Sequence, residues 1–185
     1  MNLSLKDHLS DAGIAKWIAE IGCTDATIPR RNIRLALAFL DANMHELSIA
    51  DAVGFLAVMD LSKPVSRVHL APGERLIGFR TGTESPFKLF FARRGASPHA
   101  LGINTAGRGP VHFVVRAPVT ALESFTAGAI DTWTPRRPGQ PITVTPRAKK
   151  WFGREFGVMA AAGDRQLIIP ESQSRLLVEE PVTRR

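Results

Sequence analysis

Three short segments carry side chains able to hold a ligand and act on it. Arg75-Leu76-Ile77-Gly78-Phe79-Arg80 reads as a strand closing on an arginine. Side chains alternate across a strand, so Ile77 and Phe79 share a face that can enter a core, and Gly78 and Arg80 share the other. A glycine beside an arginine leaves room for a ligand under the guanidinium, whose donors match two phosphate oxygens at once. Each such charge-assisted hydrogen bond contributes about 1.5–3 kcal/mol. Phe90-Phe91-Ala92-Arg93-Arg94-Gly95-Ala96-Ser97 reads as an aromatic strand entering a small-residue turn. Phe90 and Phe91 point to opposite faces, so one ring can be offered to a planar ligand, and Ser97 behind Gly95-Ala96 can bond to backbone or ligand. The third segment, Gly163-Asp164-Arg165-Gln166-Leu167-Ile168-Ile169, is a late strand that opens on a polar side chain. Gln166 shares a face with Ile168, opposite Leu167 and Ile169. Burying an amide without partners is costly, so Gln166 either lies at a sheet edge in water or points into a polar cleft.

Each residue also fits a plainer structural role. Arg80 can end its strand in solvent or pair with a carboxylate. A Phe pair is usually core, and a Ser after Gly is usually a turn former. Other chemistries fail locally. Gly95-Ala96-Ser97-Pro98-His99 lacks the second glycine of a nucleophile elbow, and residues 102–108 lack the Gly-Lys-Ser/Thr of a phosphate-cradling loop. The five histidines, His8, His45, His69, His99 and His112, show no metal-ligand spacing, so no metal site is expected.

The elements that must position these segments divide the chain near Pro64. Ile14, Trp17, Ile18 and Ile21 fall at helical spacing, as do Ile33, Leu37, Leu40 and Met44 behind Pro29. Ser48 and Asp51 form a capping pair for a third helix carrying Val53, Leu56 and Met59. Ser62-Lys63-Pro64 stops the helical period. Beyond it, strands are expected at residues 75–80, 87–92, 111–116, 165–169 and 176–178. A long loop over residues 93–110, with one helical turn near Pro98-His99-Ala100, an exposed loop at 134–141 and a short helix over Arg147 to Phe156 complete the pattern. Helices followed by a mostly antiparallel sheet make an α+β chain, with a helical region at 1–63 and a sheet domain at 64–185.

An apolar share of 44% in 185 residues is enough for a core, and the single cysteine, Cys23, excludes an intrachain disulfide framework and a cysteine-based zinc site. Met1 to Leu9 is polar where a signal peptide needs an apolar stretch, and no apolar run approaches the roughly 20 residues of a membrane span. The expectation is a soluble protein made in the cytoplasm. The net charge of +7 points to an anionic small molecule, an acidic protein or a nucleic acid as partner. Basic residues are dispersed and there is no Tyr, which argues against an RNA-binding platform.

In order and spacing, the strand ending at Arg80, the aromatic strand with the Ser97 turn and the late strand with Gln166 resemble the ADP-ribosyltransferase-like fold, over roughly Val68 to Pro170. The usual third motif of that fold ends in Glu. Asp164-Arg165-Gln166 departs from it and looks more like the bacterial NAD glycohydrolase toxins, including tuberculosis necrotizing toxin and the type VI secretion NADase effectors. The resemblance implies a split, mostly antiparallel sheet and NAD or NADP as substrate, with no further cofactor. It implies catalytic roles for Gln166, Arg80 and Ser97, and a binding surface of Phe79, Arg80, Phe90, Phe91, Gly95 and Ser97. A Gln cannot serve as a general base for a protein acceptor, so water is the favoured acceptor. An antibacterial toxin of this kind, delivered into the cytoplasm of a target cell, further implies an acidic immunity protein to protect the producer. It also implies a secretion-apparatus or chaperone partner for residues 1–63. Two rivals stay open: an ADP-ribosyltransferase that modifies protein or nucleic acid, with Glu171 or Asp164 as its carboxylate, and a non-catalytic basic adaptor or nucleic-acid-binding domain.

Overall fold

The computed structural model describes residues 5–21, 27–44, 47–81, 90–101, 108–127, 146–152, 154–159 and 163–181. A 3-10 turn at Leu5–Leu9 leads into α1 (Asp11–Ile21), α2 (Thr27–Asn43) and α3 (Ile49–Ala57). The apolar stripes read from the sequence are the buried faces: Ile14 and Trp17 in α1, and Ile33, Leu37 and Leu40 in α2, are fully buried. At the start of α3, Asp51 N–H donates to Ser48 Oγ at 3.1 Å and Ser48 N–H donates to the Asp51 carboxylate at 3.2 Å, the reciprocal capping pair expected there.

The strands are β1 (Ser66–Leu70), β2 (Arg75–Thr81), β3 (Phe90–Arg93), β4 (Arg108–Val115), β5 (Val119–Phe125), β6 (Pro146–Trp151), β7 (Arg154–Met159), β8 (Arg165–Ile168) and β9 (Leu177–Glu179), with the one-turn helix α4 (Glu171–Ser174) before β9. Seven strands form one sheet in the order β1-β5-β8-β3-β2-β4-β9, and every described pair is antiparallel. The fold is therefore α+β. Strands β1 and β5 were not anticipated from the sequence. Of the strand expected at 87–92, residues 87–89 lie outside the described residues, as does the expected loop at 134–141.

The short helix expected over Arg147 to Phe156 is overturned. That segment is a hairpin, with β6 and β7 paired from Pro146–Met159 to Trp151–Arg154. Phe152 stands at the tip with φ of 49°. The left-handed backbone at Phe152 ends any right-handed helix there.

The helices and the sheet share one core. Trp17, Leu37, Phe39, Leu56 and Met59 pack in a cluster that also contains Leu122 of β5 and Ile168 of β8. The other face of the sheet closes on itself: Leu70 of β1 and Leu177 of β9, from its opposite ends, join Leu76, Phe91, Phe113 and Leu167 in a second cluster. One short strand couples the halves of the sheet. β3 pairs with β8 only through Phe90–Ile168 and Phe91–Leu167, and with β2 only through Ala92–Ile77 and Arg93–Leu76. The ladder thus changes partner within four residues, and the sheet divides at the level of the residue preceding Leu167.

Candidate functional site

That residue is Gln166. On one side it pairs with Ser124 of β5; on the other it is the first β8 residue past the last pair with β3. It is buried and points, with Ile168, to the helical face of the sheet. Its Nε2 donates to the carbonyl of Val58, just past α3, at 2.9 Å and to Ser124 Oγ at 3.3 Å. A carbonyl oxygen can only accept, so the atom facing Val58 is the amide nitrogen. The same carbonyl accepts Ala127 N–H at 2.7 Å. No hydrogen bond to Gln166 Oε1 occurs among the described residues. Both partners are taken by the amide nitrogen, so the oxygen is the atom left to accept.

The Ser97 turn is tied to the same end of the sheet. Arg93 to Ala96 make a tight turn closed by Ala96 N–H on the Arg93 carbonyl at 3.1 Å, with Gly95 at φ of 96°. Ser97 then opens the single helical turn expected near Pro98-His99-Ala100: its carbonyl accepts Leu101 N–H at 3.0 Å and its Oγ accepts Ala100 N–H at 3.4 Å. Asp164 N–H donates to the Ala100 carbonyl at 3.1 Å, and Thr126 Oγ donates to the Leu101 carbonyl at 3.4 Å. These two bonds attach the turn to the entry of β8 and the exit of β5. Leu101 is buried on Ile77 and Ala92, with Phe79 and Ala96 alongside, so an apolar floor runs on from the divide in the sheet.

Arg80 lies in β2 opposite Gly109, three residues beyond Ile77. At about 3.3 Å per residue its backbone is roughly 10 Å from the Ile77 level, toward the end of β2 opposite the Arg93–Gly95 turn. Arg80 therefore stands toward the opposite end of β2 from the Ser97 turn and two strands away from Gln166, so the fold brings Ser97 and Gln166 to one end of the sheet but not Arg80 beside them. The space above Gly78 is filled: a Cβ there would meet the Phe113 ring at 3.2 Å, so this glycine admits core aromatic atoms instead of a ligand. The two phenylalanines do diverge. Phe90 stacks on Phe55 of α3 with centroids 5.6 Å apart, on the Gln166 side. Phe91 is buried edge-on to Phe113, at 5.3 Å, in the other core. Phe79 is half-buried and Ser97 and Gly95 are exposed.

Two features escaped the sequence reading. Gly163, at φ of 90°, turns the chain into β8, and a Cβ there would lie 2.9 Å from Lys63 Nζ. Lys63 pairs with Asp60 at 3.1 Å. Burial works against ionisation of Asp60, but hydrogen bonds from Ser62 and Lys63, with the Lys63 charge, outweigh it and hold the carboxyl below its ordinary range. On the opposite face, buried Glu123 accepts from Arg165 at 2.9 Å and Arg93 at 3.4 Å, and Arg93 reaches Glu74 at 2.8 Å. Arg165 also covers the Phe125 ring, 4.8 Å from its centroid. Of the other acidic residues near the third segment, Asp164 spends one carboxylate oxygen on Arg165 N–H at 2.8 Å, and Glu171 is exposed at the start of α4. No group of three or more metal-ligating side chains occurs among the described residues, and none of their helices is long and apolar enough to cross a membrane.

No family model and no curated protein matches the chain in sequence. In structure it is similar to Tse6, solved in complex with Tsi6. The TM-score is 0.58 at 19% identity, over 84% of this chain and 98% of that one. At this identity the likeness is one of fold.

Proposed function

We propose that this chain is an NAD(P) glycohydrolase with an ADP-ribosyltransferase-like fold, acting as an antibacterial toxin held in check by an acidic immunity protein. The observation that carries the reading is the Gln166 amide, fixed at the divide of the sheet by Val58 and Ser124 so that its oxygen is left to accept. The fold it shares with Tse6, a protein solved with a partner bound, supports both the class and the partner. The net charge of +7 suits an acidic plug.

NAD or NADP is substrate here, and no cofactor is required. Water attacks the anomeric carbon of the ribose and the bond to the nicotinamide nitrogen breaks. The electron pair returns to the ring, which leaves neutral, and the attacking water gives its proton to solvent. A leaving group that departs neutral needs no general acid. The enzyme must hold the ribose as oxocarbenium-like charge develops, and hydrogen bonds to the neighbouring hydroxyl strengthen in such a transition state. Gln166 Oε1 accepts from that hydroxyl. Arg80 holds phosphate, Ser97 supports the nicotinamide side, and Phe79, Phe90 and Gly95 border the bound molecule; Phe91 acts by packing from below.

Purified protein incubated with NAD, and separately with NADP, is expected to release free nicotinamide. Gln166→Ala should lower kcat by about 100-fold, the order seen when one group that stabilises a transition state is removed, while circular dichroism stays unchanged. Intact NAD and NADP after incubation with the wild type would overturn the reading, and so would full activity in the variant.

A further inference from the structure

The geometry points to Ser124 and the main-chain carbonyl of Val58 as a positioning pair that fixes which way round the residue-166 amide sits, and so admits Gln there while excluding an ionised Glu. This rests on the reading of Gln166 as the group that touches the ribose. Val58 O lies 2.9 Å from Nε2 and also takes Ala127 N–H at 2.7 Å, so both its lone pairs are engaged by donors. Ser124, itself buried, takes the second amide hydrogen at 3.3 Å. With both hydrogens held, rotating the amide by half a turn would set two oxygens face to face across Val58. The amide atom left for a ligand is therefore always an acceptor, matched to a ligand hydroxyl and mismatched to a ligand carbonyl or phosphate.

A carboxylate at this position would place an oxygen without a proton against the Val58 carbonyl, in a buried setting. It relieves that contact only by taking up a proton and donating it to Val58 O. The protonated acid then leaves its other oxygen as the acceptor, as the amide does. The charged groups on the surrounding elements do not reverse this: Asp60 is paired with Lys63, and Glu123 with Arg93 and Arg165 on the far face. Asp164 at the entry of β8 adds a like charge, and His99 on the turn is exposed.

The test is carbon-13 NMR titration of the new carboxyl in Gln166→Glu, with nicotinamide release followed across the same pH range. The carboxyl is expected to titrate at least one pH unit above the ordinary glutamate value of about 4.3, and release by the variant should climb as pH falls, the reverse of what a carboxylate catalyst would show. In Ser124→Ala, kcat should drop roughly 3- to 10-fold with KM nearly unchanged, as for the loss of one ordinary hydrogen bond. A carboxyl that titrates in the ordinary range overturns the positioning pair, whatever the wild type does to NAD. A raised titration with a wild type that leaves NAD intact upholds the pair and overturns the glycohydrolase reading. Should Gln166→Glu not fold, nitrogen-15 spectra of the wild type decide. Both Gln166 side-chain protons should exchange slowly with water, Ser124→Ala should speed one of them, and fast exchange of both in the wild type would overturn the proposal.

Discussion

The Trp17 indole donates its Nε1–H to Nδ1 of His8 at 3.2 Å, inside the helical core. Nδ1 must be unprotonated to accept, so the neutral ring carries its proton on Nε2. Phe152, at the tip of the β6–β7 hairpin, packs edge-on against both rings, 5.9 Å from His8 and 4.5 Å from Trp17, and its N–H donates to Glu20 at 2.8 Å. The hairpin is thereby fastened to the first helix through a ring that cannot be charged without losing a bond.

Stability should therefore fall in mild acid. Burial, and next the Lys16 charge, lower the His8 pKa, against a smaller opposing effect of Asp7. The unfolded chain then binds a proton near the ordinary histidine value of about 6.5 while the folded chain does not. The contribution is complete above that value and declines as pH drops from it toward the lowered folded value. Thermal melts between pH 7.5 and 5 should show Tm falling through this window, and His8→Gln, which keeps an acceptor without the titration, should flatten the slope.

The 64–185 segment is not expected to fold alone. Leu122 and Ile168 are fully buried, in the cluster built by the helices, and Phe90 is stacked on Phe55. Removing residues 1–62 would also remove the Val58 carbonyl from Gln166. Full burial of a large aliphatic side chain is worth about 1.5–3 kcal/mol, and a domain's whole margin is only about 5–15 kcal/mol. Such a fragment should aggregate or melt without a cooperative transition, as followed by circular dichroism.

Glu123→Gln should destabilise more than removal of a surface pair. The Glu123 side chain is 8% exposed and held by two arginines that are themselves 53% and 56% exposed. Losing its charge leaves well-solvated arginines, so the cost should be about 1–2 kcal/mol, well short of a fully buried pair. Asp11→Asn, which breaks an exposed contact with Arg34, should cost at most about 0.5 kcal/mol. Urea denaturation of the two variants compares them directly.

Legibility in the sequence followed the range of the interactions. Helical periods at Ile14–Trp17 and Ile33–Leu40, and the Ser48–Asp51 cap, depend on neighbours in the chain, and each stands where it was read. The hairpin at 146–159 was misread because its first strand, Pro146–Trp151, is basic and lacks an apolar alternation, and only the left-handed Phe152 marks the turn. At the site, Gln166 does not lie at a sheet edge in water: it is buried on an interior strand with partners on its amide nitrogen. Its partners lie 108 and 42 residues away, on Val58 and Ser124, and no local pattern announces them. Gly78 shows the converse: its neighbour Arg80 invited a ligand into space that Phe113 fills from another strand.

Gly163→Ala should lower kcat, whereas Gly95→Ala, at the border of the bound molecule, should act on stability and KM. Both glycines hold positive φ, 90° and 96°, and an L side chain in that region costs about 1–2 kcal/mol. A Cβ at Gly95 would meet nothing within 4 Å, so the strain there stays in an exposed turn. A Cβ at Gly163 would lie 2.9 Å from Lys63 Nζ, driving that ammonium off Asp60 or the backbone off its path into β8. The backbone path is the more consequential, because Asp164 N–H holds the Ala100 carbonyl and Gln166 follows two residues later. A shift of a few tenths of an ångström at that point moves the amide relative to Val58 and the Ser97 turn together. Both variants should lose similar Tm, with kcat for nicotinamide release near wild type in Gly95→Ala and lowered about 10-fold or more in Gly163→Ala, in line with the sensitivity of catalysis to misplacement. Equal kcat in the two would mean that the entry of β8 does not set the position of Gln166.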